Sequence, residues 1–224
     1  MSTLRIIALA LGVSVLAAGM IGAKTFTIPP ATPIVTSDPG NSAKVGDNPG
    51  NVRVNPDVLM AAKGHQLAAF SGGCFWGVED EFRQVPGVVA TAVGFSGGKI
   101  ANPSYELVCT HTTGHAETCL IEFDPSKVTY KALLKKFWEI CDPTTVDRQG
   151  PDYGNNYRSA IWTYSDEQQK EAEESKAEDQ KKENGPIVTT IQKAMPFYMA
   201  EEYHQQYDEK TGRHFCPTDR GAGN

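Results

Sequence analysis

Apolar and polar positions alternate in two rhythms along this chain from about residue 65 onward. Residues 67–70 form a short apolar run that breaks at Ser71-Gly72-Gly73. A helix-like segment over 75–84 follows, so the local order is strand, glycine turn, helix. Residues 88–95, 119–123, 159–164 and 187–192 are β-branched or aromatic and bounded by Gly, Pro or Asp, which predicts further strands. Thr129 is placed to cap a helix through Cys141, in which Leu133, Leu134, Phe137, Trp138 and Cys141 share one face. Ser165 with Gln168 has the form of a capping box opening a second helix, closed by Gly185-Pro186. That helix carries few apolar residues, so its Lys/Glu/Gln run reads as a solvated face. Strands interspersed with helices predict an α/β (α+β) layer fold.

The rhythm is absent before residue 65. Residues 24–64 are rich in Pro, Gly, Ser, Asn and Asp and read as a flexible linker. Ahead of them, one positive charge at Arg5 precedes an uncharged apolar stretch over 6–23. This suits a secretory signal peptide or a membrane anchor, and so an exported, periplasmic or otherwise extracytoplasmic protein with an N-terminal tether. The expected organisation is therefore a signal or anchor (1–23), a linker (24–64) and one catalytic domain (65–224), since 224 residues of which 40% are apolar suffice for one good core.

A formal charge of −6 argues against the broad electropositive surface that nucleic acid would require. The five cysteines, Cys74, Cys109, Cys119, Cys141 and Cys216, are odd in number and sparse, so they do not form a disulfide scaffold. Cys74 follows two glycines at the start of a predicted helix, where free backbone N–H groups and the helix dipole favour thiolate over thiol. Phe75 and Trp76 next to it can line an apolar pocket for a methyl or thioether group, although a buried structural cysteine among core aromatics has the same local composition. Cys119 and Cys141 read as small buried hydrophobes. Cys109, His111 and His115 have a spacing that could ligate zinc, which leaves a metal-binding module as one alternative and a peptide-binding protein with incidental thiols as another.

Gly73-Cys74-Phe75-Trp76-Gly77 resembles the signature of the A-type peptide methionine sulfoxide reductases. Asn102-Pro103-Ser104-Tyr105, Gly114-His115-Ala116-Glu117, Asp142-Pro143, Tyr157-Arg158-Ser159-Ala160-Ile161 and His204-Gln205-Gln206-Tyr207 are similar to family blocks in the same order. The resemblance implies a single compact domain whose central mixed sheet is flanked by helices. It also implies reduction of methionine-S-sulfoxide, free or in oxidised proteins, by a monomer with no metal or organic cofactor. Cys74 would be the nucleophile and Glu117 the general acid, where the sequence alone leaves Glu117 readable as a surface carboxylate. Tyr105 and Tyr157 would hydrogen-bond the sulfoxide oxygen, and Asp152 would organise the site unless it is simply a turn residue. Phe75, Trp76, His204 and Tyr207 would bind substrate. Cys216 would resolve the Cys74 sulfenic acid, and a thioredoxin-like protein dithiol would then reduce the disulfide. Asn156 stands where the family more often has Gln.

Overall fold

The computed structural model describes residues 61–213 and the backbone of Arg53–Val54. The expected signal or anchor over 1–23 and Cys216 lie outside the described residues. The strands are β1 (Arg53–Val54), β2 (Gln66–Ser71), β3 (Val88–Ser96), β4 (Ala116–Phe123), β5 (Arg148–Gln149), β6 (Asp152–Tyr153), β7 (Ala160–Thr163), β8 (Thr190–Lys193) and β9 (Phe197–Met199). The helices are α1 (Phe75–Arg83), α2 (Tyr105–Val108), α3 (Tyr130–Ile140), α4 (Asp166–Asp179) and α5 (Tyr207–Thr211). Among the described residues seven strands make a mixed sheet in the order β1-β9-β3-β4-β2-β7-β8. The β7–β8 pair is parallel and the other pairs are antiparallel. β5 and β6 form a separate hairpin.

Strand alternation divides the core. Cys119, Ile121 and Phe123 of β4 join Ala68 and Phe70 of β2 on the face covered by Val78 and Phe82 of α1 and by Leu133, Leu134 and Phe137 of α3. Phe70 is the centre of that layer, its ring 5.0 Å from that of Phe82 and 5.2 Å from that of Phe137. Burying each such aromatic contributes roughly 1.5–3 kcal/mol, so this layer holds α1 firmly against the sheet. Leu120 and the small residues Ala69, Ala90 and Ala92 face the other side with Trp162 and Phe197.

Thr129 caps α3, its hydroxyl accepting the Ala132 N–H at 3.2 Å, and Ser165 caps α4 by accepting the Gln168 N–H at 3.1 Å. The Gln168 side chain reaches back to the Tyr164 N–H at 2.9 Å, one residue ahead of the position a capping box specifies. α4 ends at Asp179, before the Gly185-Pro186 pair expected to close it. There the Gln180 side chain donates to the Gly185 carbonyl and accepts from the Ile187 N–H, each at 2.8 Å, and so bridges the turn. β8 begins three residues later than the β-branched run suggests, because the Val188 N–H is taken by the Pro143 carbonyl at 2.8 Å and the ladder to β7 starts only at Thr190. α2, α5, β9 and the β5–β6 hairpin are too short for a periodic signal.

Candidate active site

β2, the turn after it and α1 place Cys74. Gly73 has φ 101, and a Cβ there would lie 2.8 Å from Cβ of Gln149, so only glycine lets β5 pack over the turn. The Gln149 amide in turn clasps the Asp142 backbone, accepting from its N–H at 2.8 Å and donating to its carbonyl at 2.7 Å. Cys74 is the N-cap residue of α1 and is half-buried, and its side chain makes no capping hydrogen bond.

Glu117 arrives from the neighbouring strand. β4 extends three residues ahead of the predicted 119–123, which puts Glu117 inside the strand, paired with Phe95 and in phase with Cys119 on the helix-covered face. It is 1% exposed. Its Oε2 accepts the Phe75 N–H at 3.0 Å and its Oε1 accepts from Asn156 Nδ2 at 3.4 Å. The carboxyl therefore sits under the first turn of α1, beside the residue that carries the thiol.

Aromatic rings wall the site. Phe75 lies 6.3 Å from Tyr105 and 5.3 Å from His204 between centroids, and Trp76 stacks on Tyr207 at 3.9 Å. The Trp76 indole donates to His204 Nδ1 at 3.0 Å, which assigns the histidine proton to Nε2 and fixes the indole plane. Tyr157 closes the 3-10 turn Asn155–Tyr157, and Asp152 comes from the β5–β6 hairpin. Asp152 is both a hairpin residue opposite Gln149 and a charge felt by Cys74, Glu117 and Tyr157. The structure thus brings together Cys74, Glu117, Tyr105, Tyr157, Asp152, Phe75, Trp76, His204 and Tyr207.

Burial sets the protonation states. It pushes the Glu117 carboxyl up to about 8, against the opposing pull of the Phe75 N–H and the Asn156 amide, so Glu117 holds its proton at neutral pH. Burial pulls His204 down to about 4 and keeps it neutral. The Tyr105 and Tyr157 hydroxyls are pushed well up, by burial first and the Glu117 charge second, and remain donors. The expectation that a helix start leaves Cys74 as a thiolate is corrected here. Burial raises its thiol, outweighing the Trp76 N–H that lowers it, and the Glu117 carboxyl adds to the rise once it is ionised, so the protonated form of the resting sulfur is favoured.

The metal alternative is not assembled. His115 Nε2 meets the Ile100 carbonyl at 2.7 Å and its Nδ1 the Gly98 N–H at 3.2 Å, while His111 turns to Asn156. Among the described residues no group of three or more His, Cys, Asp or Glu could hold a metal ion.

The peptide methionine sulfoxide reductase family pattern matches residues 66–223. The chain belongs to that family. The peptide methionine sulfoxide reductase MsrA of Methanosarcina mazei is 57% identical over 152 residues, covering 67% of this chain and 72% of that protein. Methionine sulfoxide reductase A of Corynebacterium diphtheriae superposes with a TM-score of 0.66 at 37% identity, over 79% of this chain and 90% of that one. Reduced Mxr1 of Saccharomyces cerevisiae superposes with a TM-score of 0.67 at 35% identity, over 70% of this chain and 93% of that one. The protein is accordingly an oxidoreductase with the fold of methionine sulfoxide reductase A.

Two supporting residues of this reductase, Gln205 and Glu79, are absent from the candidate site residues read from the sequence. Gln205 is fully buried and bonds the Val93 N–H at 2.8 Å and the Val93 and Ala200 carbonyls at 2.9 Å, fixing the segment that carries His204. Glu79 is buried on α1, accepting the Gln206 N–H at 2.7 Å and the Thr91 hydroxyl at 2.8 Å. A carboxylate on the apolar stripe Phe75, Val78, Phe82 is the signal that could have found it.

Proposed function

We propose that this enzyme reduces methionine-S-sulfoxide, free and in oxidised proteins, with Cys74 as nucleophile and Glu117 as general acid. The observation that carries this reading is a fully buried carboxyl under the helix start that presents the thiol, a burial that favours its protonated form. A sulfoxide sulfur becomes electrophilic when its oxygen is protonated or strongly hydrogen-bonded. Glu117 gives its proton to that oxygen while the Tyr105 and Tyr157 hydroxyls donate to it. The Cys74 sulfur attacks the sulfoxide sulfur, the S–O bond breaks, and the oxygen passes to Cys74. The thiol proton returns to the Glu117 carboxylate. Methionine sulfur is reduced by two electrons, Cys74 is oxidised to a sulfenic acid, and the acid is restored within the half-cycle. Phe75, Trp76, His204 and Tyr207 hold the methyl group and thioether arm. These steps need no metal or organic cofactor.

The sulfenic acid then condenses with the Cys216 thiol, releasing water, and a thioredoxin-like dithiol reduces the resulting disulfide. Cys216→Ser should therefore release one methionine per enzyme with a thioredoxin-like reductant and many with dithiothreitol, which reduces a sulfenic acid directly. Peptide mapping after sulfoxide treatment checks the assignment: a Cys74–Cys216 cross-link is expected, and its absence alongside steady turnover rejects it. The reaction itself is tested with separated epimers of a methionine sulfoxide peptide and dithiothreitol. Methionine should form from the S epimer; activity confined to the R epimer would sink the proposal.

A further inference from the structure

His111 and Asn156 form a connection between the surface and the buried acid. His111 is exposed, has φ 62, and directs Nδ1 to Asn156 Oδ1 at 2.7 Å. Asn156 is fully buried, and its Nδ2 points to Glu117 Oε1. The His111 ring rests in a notch that only a glycine leaves open. A Cβ on Gly154 would lie 2.3 Å from His111 Cε1, 2.4 Å from Nδ1 and 2.6 Å from Asn156 Oδ1. The backbone of His111 is fixed as well, since Asn155 Nδ2 donates to its carbonyl at 2.9 Å. Two consecutive asparagines of one 3-10 turn thus hold His111 by its main chain and its ring.

Hydrogen-bond chemistry gives this chain a direction. An amide oxygen only accepts, so His111 Nδ1 carries a proton and donates it, which leaves the Asn156 NH₂ group for Glu117. Without that donor the amide is free to turn over, and its oxygen would then face Glu117. An NH₂ group favours the ionised carboxylate, whereas an oxygen accepts from the protonated acid and favours that form. We infer that His111 is a positioning residue for the general acid, fixing which end of the Asn156 amide meets Glu117 and thereby how readily Glu117 releases its proton. Asn156 also hydrogen-bonds the Tyr157 hydroxyl, so one amide bears on two of the groups assigned to the sulfoxide oxygen. The inference rests on Glu117 being the acid of the proposed reaction.

The test is the titration of Glu117 itself, followed through its carboxyl C=O stretch in infrared difference spectra and assigned by its loss in Glu117→Gln. The other groups facing Glu117 are Cys74 at the start of α1, Asp152 on β6, Tyr157 in the 3-10 turn, and Tyr105 and Cys109 at the two ends of α2. A change at His111 leaves each of these side chains in place and reaches only Tyr157 among them, through the shared Asn156 amide. His111→Ala removes the donor from an exposed position, and the Glu117 midpoint should rise by roughly half a unit to one unit, the scale of one weak hydrogen bond to a charged group. His111→Asn should restore the wild-type midpoint, because asparagine tolerates positive φ and its Nδ2 occupies the place of His111 Nδ1. A midpoint that is unchanged or lowered in His111→Ala, or raised equally in both variants, overturns the inference. Single-turnover methionine formation by the same samples reports separately on the reaction: if Glu117→Gln releases methionine at the wild-type rate, the acid assignment fails whatever the infrared titration shows.

Discussion

Cys74→Ser should leave a folded protein that forms no methionine from methionine-S-sulfoxide, with a loss on the order of 10⁴-fold or more, the scale on which removing a nucleophile acts in other enzymes. The reason is electronic as well as kinetic. The sulfoxide oxygen must be received by an atom that can surrender two electrons, which sulfur does in becoming a sulfenic acid. A serine oxygen would have to form a peroxide bond, so no equivalent step exists for it. Structural damage can be separated from this loss, because Cys74 caps α1 without a side-chain hydrogen bond and serine is among the preferred residues at such a cap. The variant should melt at the wild-type temperature or slightly higher, by up to about 1 kcal/mol of added stability. Melting curves with single-turnover assays check both halves. Wild-type rates in the variant would show that another thiol attacks.

The parts of this molecule that could be read in advance are those with repetition or a local physical signature. The glycine turn before α1, the Thr129 and Ser165 caps and the apolar face of α3 each follow from a few adjacent residues, and they carry the strand-turn-helix that presents Cys74. Glu117 could be named only through a resemblance, because nothing near it in sequence shows that β4 runs on to bury it or that α1 lands over it. Its protonation comes from that landing, so it is a tertiary property. The Cys74 thiol teaches the same lesson from the other side. A helix start predicts a thiolate, and the neighbouring carboxyls that join burial in reversing the prediction, Glu117 and Asp152, lie 43 and 78 positions away. His111 stands out in the sequence by its spacing and Asn156 by an unusual side chain, but the glycine notch that joins them exists only in three dimensions.

Glu117→Gln should slow the chemical step by roughly 10²–10⁴ at neutral pH, because the amide can donate a hydrogen bond to the sulfoxide oxygen but cannot deliver a proton. The pH dependence should change in form as well. With the carboxyl pushed up to about 8, the wild-type rate at saturating substrate should hold on the acid side and fall as pH rises through that value, while the glutamine variant should show a low rate without this decline. Stability should move with the same proton. The folded-state pKa lies above the ordinary carboxyl value, so the folded protein retains a proton that the unfolded chain gives up between about 4.5 and about 8. The contribution of this group is fully present below about 4.5 and is lost progressively up to about 8, a difference on the order of a few kcal/mol. Glu117→Gln lacks the titration, so its stability relative to wild type should increase across that range. Stopped single-turnover rates from pH 6 to 10, together with urea melts of both proteins at pH 5 and pH 8, measure the two effects. An alkaline decline that persists in the glutamine variant would assign that proton to another group, and parallel urea curves at the two pH values would show that Glu117 is ionised in the folded enzyme.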